Sequence, residues 1–170
     1  MKYIRKILKH YIVLLLCFFT IISSAQNPFI QNKGQFPKQV KAKVNLPSGS
    51  LFIEGGKLTY SFYSGEQLAQ IHDLEREDKS VDAHAYSVEF IGKSQPVLVE
   101  LYEESKYFEN YFLGNKLTWA TNVKSFKSLF QSNVYNGINL NFYVKKDQLK
   151  YDIVVEKNAN PEKIKLLYKY

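Results

Sequence analysis

The sequence predicts an all-β chain, an antiparallel β-sandwich of about ten short strands carrying one charged loop or short helix as an insert. Three observations carry that expectation. From Val40 onward apolar and polar residues alternate with period two, as in strands buried on one face. Turn-forming residues recur roughly every 8–12 positions. Aromatic residues make up 15% of the chain, and tyrosine and phenylalanine are favoured strand formers that fill sandwich cores.

The first 25 residues read as a cleavable export signal, and residues 26–170 as a single domain. Lys2 to His10 is basic, residues 11–22 are almost wholly apolar, and Ser23-Ser24-Ala25 supplies the small side chains a signal peptidase accommodates. Cleavage is expected between Ala25 and Gln26. The apolar run is shorter than the about 20 residues a membrane span needs, so no stable span is expected after processing. Cys17 follows Leu14-Leu15-Leu16 rather than the small residue lipid attachment requires, and reads as one more apolar residue of the signal. No other cysteine exists, which suits a bacterial envelope protein held by its core and excludes thiolate metal sites and cysteine nucleophiles in the mature chain. Lys2, Arg5, Lys6 and Lys9 leave with the signal, so the net charge falls to +7 − 4 = +3. That balance gives no electrostatic basis for binding nucleic acid.

Within the domain, Val40, Ala42, Val44 and Leu46 alternate with Lys41, Lys43 and Asn45, and Pro47-Ser48-Gly49 turns the chain into 51–53. Glu54-Gly55-Gly56-Lys57 is a tight hairpin in which glycine supplies positive φ, and Leu58, Tyr60 and Phe62 share one face of the strand that follows. Residues 65–82 break the pattern with a crowd of charges. Leu68, Ile71 and Leu74 fit a short surface helix there, and a solvated loop fits equally well. Further strands are expected at 84–90, 96–102, 107–113, 123–126, 129–134, 138–144, 149–155 and 164–168. In the hairpin 138–155, Ile138, Leu140, Phe142 and Val144 with Leu149, Tyr151, Ile153 and Val155 are expected on one buried face. Asn139, Asn141, Lys150 and Asp152 belong to the solvent face. The last strand runs toward Tyr170 without a closing turn, as in the leading part of a longer protein.

The search for chemistry selects little. His72 and His84 have no metal-type partner at i+2 or i+4, and the run Asp73, Glu75, Glu77, Asp78 lacks the glycine and spacing of a calcium loop. No metal or other cofactor is expected. There is no nucleophile elbow and no phosphate loop, Gly55-Gly56 belonging to a hairpin, and nothing singles out a carboxylate pair for glycoside cleavage. No residue is assigned a catalytic role, and the chain is expected not to be an enzyme. The aromatics are the one excess. Rows such as Tyr60, Phe62, Tyr63 or Tyr107, Phe108, Tyr111, Phe112 are explained first as strand formers. Trp119, Tyr107 and Tyr111 are the candidates for an exposed platform that stacks on sugar rings.

Four segments, in order, have a familiar cast: residues 29–36 (Phe29-Ile30-Gln31-Asn32-Lys33-Gly34-Gln35-Phe36), 84–90 (His84-Ala85-Tyr86-Ser87-Val88-Glu89-Phe90), Asn110-Tyr111-Phe112-Leu113-Gly114-Asn115 with Trp119 after it, and Leu149-Lys150-Tyr151-Asp152-Ile153-Val154-Val155. With Val134 to Leu140 and Asn160-Pro161 to Tyr168, they resemble an uncharacterised domain at the mature amino terminus of large secreted bacterial proteins. Phe36 stands where that pattern favours tryptophan. The resemblance implies a domain that precedes propeller-type SBBP repeats or immunoglobulin-like modules and a type IX sorting domain, and it carries over no catalytic residue. The expected function is a non-catalytic module secreted to, or displayed on, the outer surface of a Gram-negative bacterium. It would act in adhesion, display or packing against downstream domains of the same polypeptide, with surface proteins or glycans as further partners. The alternative is a carbohydrate-binding module using exposed aromatics.

Overall fold

The computed structural model describes residues 29–71, 80–146 and 148–170. The export signal with its Ala25–Gln26 junction, His72, the acidic run at 73–78 and Asp147 lie outside the described residues. Ten strands form: β1 Phe29–Gln31, β2 Val40–Leu46, β3 Gly49–Glu54, β4 Lys57–Tyr63, β5 Ala83–Phe90, β6 Leu98–Tyr111, β7 Ala120–Tyr135, β8 Ile138–Lys145, β9 Gln148–Val155 and β10 Leu166–Lys169. The insert opens with α1, Gly65–Ala69, whose N-cap Ser64 accepts the Gln67 N–H at 3.3 Å. This helix stops before Ile71, and Leu68 on it is 43% exposed; Leu74 lies outside the described residues.

All strand pairs are antiparallel and belong to one sheet, in the order β10-β5-β4-β3-β2-β1-β7-β8-β9, with β6 also on β7. The 16-residue β7 is the hinge of this arrangement. One of its edges carries β6. The other is shared, with β1 opposite Ser125 and Phe126 and β8 opposite residues from Ser128 to Tyr135. The sheet therefore forks at β7 and curls into a half-barrel whose two arms face each other as sandwich layers do. Ala42, Val44, Leu51, Ile53, Leu58, Val88 and Phe90 from one arm close on Leu129, Val134, Ile138, Leu140 and Phe142 from the other. In β2 and β3 these residues alternate with residues that are not buried, which is why the period-two pattern was visible.

Three differences from the sequence expectation have physical causes. Residues 96–102 and 107–113 are not two strands but one, β6, and 123–126 and 129–134 are both parts of β7. In β6 a register shift between Glu104 and Phe108, with positive φ at Glu103, marks a bulge that interrupts the alternation without ending the strand, whereas β7 keeps one register from Phe126 to Leu129. Second, the β9 half of the expected buried face is not buried: Tyr151, Ile153 and Val155 are 41%, 37% and 42% exposed, while Leu140 and Phe142 beside them are at 0%. β9 is the last strand of the half-barrel, so its concave face lies at the opening. Third, Asn139 on the expected solvent face is nearly buried; its Oδ1 accepts the Asn133 N–H and its Nδ2 donates to Glu156.

One buried polar residue ties the arms together. Gln131 of β7 has no solvent exposure; its Oε1 accepts the Gly56 N–H at 2.8 Å and its Nε2 donates to the Glu54 carbonyl at 3.0 Å. Tyr135, at the end of β7, donates its hydroxyl to the Ile91 carbonyl at 2.8 Å and accepts the Lys165 N–H at 3.4 Å.

Candidate functional site

The surface with the most unusual chemistry is the open mouth of the half-barrel. On β4 and β5 the register sets Tyr60 opposite Tyr86 and Phe62 opposite His84, on the same face as the buried pair Leu58 and Val88. Toward Phe62 and His84 the facing arm no longer covers this surface. The Tyr60 and Tyr86 rings stack at 4.9 Å and 13°, and Phe62 lies 6.2 Å from Tyr60 and 6.3 Å from Tyr86. Tyr170 lies 6.2 Å from both His84 and Tyr86. These stacked rings form one aromatic row across β4 and β5.

From the two ends of the sheet, Tyr151 of β9 and Tyr168 of β10 bring further phenols toward Tyr60. Burial pushes the Tyr60 hydroxyl up to about 12, and the phenols of Tyr86, Tyr151 and Tyr168 add to the shift. It therefore remains a neutral hydrogen-bond donor at physiological pH. Tyr151 also packs on buried Phe142 at 5.4 Å, which links the mouth to the core. Tyr168 is 54% exposed, and Leu166 and Ile153 flank the opening.

The sequence-derived platform residues lie elsewhere, on the β6–β7 hairpin. Tyr107 and Tyr111 share a face of β6 and both donate to the carboxylate of Glu109 between them, Tyr107 at 3.2 Å. Burial first, and Glu109 after it, hold both phenols above their ordinary value. Tyr111 meets Phe36 edge-on at 5.5 Å and joins a small second core with Ile30, Ala120 and Val123. Trp119 is 42% exposed at the hairpin end, with Phe112 across it at 5.1 Å and the Lys116 ammonium 5.6 Å from its ring. The fold thus joins Tyr107 to Tyr111 through Glu109 and gives Trp119 a different partner.

The segment at residues 29–36 owes its form to Asn32. Its Nδ2 donates to the carbonyls of Phe36, Pro37 and Val40, and its Oδ1 accepts the N–H groups of Gly34 and Phe36. Gly34, at φ +107°, makes the turn that only glycine adopts readily. The loop presents Phe36 to Phe52 at 5.7 Å and to Tyr111, as an aromatic plug over the second core.

Among the titratable side chains of the described residues, no group of three or more His, Cys, Asp or Glu converges, and His84 packs among rings. Glu54, Glu89, Glu103 and Glu104 pair with lysines, and Asp152 accepts from the Tyr143 hydroxyl. Sequence reasoning missed the mouth because Tyr60, Tyr86, Tyr151 and Tyr168 lie on four strands whose spatial order no local pattern reveals. It missed Gln131 too, although that residue shares the inward parity of Leu129.

The family model for a domain of unknown function, DUF7948, matches residues 29–170. No curated protein matches the chain, and no solved structure does. The match begins with β1 and runs past β10, so it takes in every strand, both cores and the mouth. On that extent the chain belongs to the DUF7948 family of domains.

Proposed function

We propose that the chain is a non-catalytic interaction module of an exported bacterial surface protein, and that its open aromatic mouth seats a neighbouring module or surface partner. The observation that carries this reading is the half-barrel itself, which stacks Tyr60 and Tyr86 on a buried core and leaves Tyr151, Tyr168 and Tyr170 exposed around them. Exposed apolar surface contiguous with a core marks an interaction site. In this reading the signal is cleaved after Ala25, the module reaches the outer surface of a Gram-negative cell by the type IX route, and repeats or immunoglobulin-like modules follow it. The test compares hydroxyl-radical footprints of the chain alone and within the intact secreted polypeptide. Tyr168 and Tyr170 are expected to be reactive in the first and protected in the second. Equal reactivity in both counts against the reading.

A second reading, carbohydrate binding, is favoured by the ring row Tyr60, Phe62, Tyr86 and by exposed Trp119. Trp119 is the only tryptophan, so its fluorescence separates the two surfaces. An oligosaccharide stacking at the hairpin shifts the emission, and one binding in the mouth lowers affinity in Tyr86→Ala while leaving the emission unchanged. No saturable signal from either rejects the second reading.

A further inference from the structure

We infer that the chain pairs with a second copy of itself along the free edge of β9, in one antiparallel register centred on Tyr151. Self-pairing stands independently of export, display or the occupant of the mouth.

The edge is open in a way that sheets normally avoid. β9 is eight residues long, has no proline, and follows β8 without a register shift from Gln148 to Val155. Among the described residues no strand pairs with its outer side. Long, flat, apolar edges recruit other strands, whereas short or bulged ones do not. The opposite end of the sheet, β10, has only four residues, and Lys169 there is held by Glu89 at 3.2 Å.

The backbone phase determines which residues can bond outward. Glu156 donates its N–H to the Gly137 carbonyl at 2.8 Å, in step with the β8–β9 register. Hydrogen-bonded pairs alternate along an antiparallel ladder, so Gln148, Lys150, Asp152 and Val154 bond inward to β8. Leu149, Tyr151, Ile153 and Val155 direct their N–H and C=O groups to the free edge.

A two-fold axis at Tyr151 then places Tyr151 opposite its own copy and Leu149 opposite Ile153 of the copy, with about six backbone hydrogen bonds. The intervening positions are non-hydrogen-bonded pairs, where facing side chains come closest, and they set Lys150 against Asp152 twice. Moving the axis to Lys150 or to Asp152 instead opposes like charges. Both side chains are exposed on the convex face. Among axes at Lys150, Tyr151 and Asp152, only the one at Tyr151 sets these charges against their opposites, and the isologous contact closes at a dimer.

Sedimentation of the full chain over a wide concentration range tests this. The wild type is expected to show a monomer–dimer equilibrium, with the amides of Tyr151 and Ile153 exchanging more slowly as concentration rises. Lys150→Asp and Asp152→Lys are each expected to weaken association about tenfold or more. An equimolar mixture of the two variants, and the double variant K150D/D152K, are expected to regain it. Circular dichroism melts check that each variant folds. A wild type that stays monomeric, amides indifferent to concentration, or a mixture no tighter than its components overturns the inference.

Discussion

Replacing Gln131 by leucine tests whether a polar side chain in the middle of an apolar core holds the two arms of the half-barrel together. Leucine nearly conserves the volume, so the packing change is small. What is lost is the acceptor for the Gly56 N–H and the donor to the Glu54 carbonyl. The first bond is fully buried and the second partly so. A buried group left without a partner costs about 1–3 kcal/mol, and the Glu54 carbonyl recovers some of this from water, which puts the total at about 2–4 kcal/mol. Against a typical domain stability of about 5–15 kcal/mol that is a large share. Urea melts of wild type and Gln131→Leu measure it, and hydrogen exchange at Gly56 locates it. The Gly56 amide is expected to lose its protection while amides in the middle of β7 keep theirs. A loss under about 0.5 kcal/mol, or an unchanged Gly56 amide, refutes the idea that this side chain joins the arms.

Tyr135→Phe removes the hydroxyl that bonds the Ile91 carbonyl and Lys165 N–H, and is expected to lower stability by about 1–3 kcal/mol in the same melts. Phe142→Ala empties a fully buried site and should cost about 3–5 kcal/mol, whereas half-exposed Ile153→Ala should cost under about 2 kcal/mol; equal losses would mean that β9 is covered. Hydrogen bonds and charge from Lys93 and then Lys169 hold the Glu89 carboxyl below its ordinary value. Its contribution is therefore present above the unfolded-state value and lost as pH falls through the lower folded one. Relative to wild type, Glu89→Gln should be less stable by about 0.5–1 kcal/mol at neutral pH and should converge on it in acid melts. Asn32→Ala releases the loop that carries Phe36, and trypsin is expected to cut faster after Lys33 and Lys38 with a stability loss of about 1–2 kcal/mol.

Much of the fold was legible because alternation reports faces directly. Val40 to Leu46, Leu58 to Phe62 and Ile138 to Val144 fell where the pattern placed them, and the hairpin turns at Gly56 and Gly137 carry the positive φ that only glycine takes easily. Strand length was less legible. At a bulge the parity of the chain changes, so the pause after Tyr102 resembled a strand end although β6 runs on to Tyr111. Exposure at the ends of the sheet was not legible at all. Ile153 and Leu140 are equally apolar in sequence and sit side by side in the same hairpin, yet the position of β9 in the sheet order leaves the first open. The same limit hid the mouth, and it hid the neighbours of the exposed-platform candidates: Tyr107 and Tyr111 meet Glu109, Tyr111 also meets Phe36, and Trp119 meets Phe112.

The open mouth also explains why Gln131 and Tyr135 sit where they do. A closed barrel is fixed by a continuous ring of strand-to-strand hydrogen bonds. Here β9 and β10 end the main run of strands and, among the described residues, do not pair with each other, so that source of geometry is missing. Burial of Leu51, Ile53, Leu129 and Phe142 supplies a large attraction between the arms, but the hydrophobic effect is non-directional and would draw them together over Tyr60 as readily as hold them apart. Directional bonds settle the angle. Gln131 reaches the β3–β4 turn, and Tyr135 reaches the chain just after β5 and just before β10. All of these contacts gather at the end of the arms where Leu58, Val88 and Phe90 are buried, and the aromatic row widens toward His84 and Tyr170 at the other. Because the partners are backbone atoms, the clamp does not depend on which side chains occupy the turn. An arm clamped at one end and free at the other keeps its rings exposed without losing its core, and loosening the clamp should open or collapse the mouth before it unfolds the sheet.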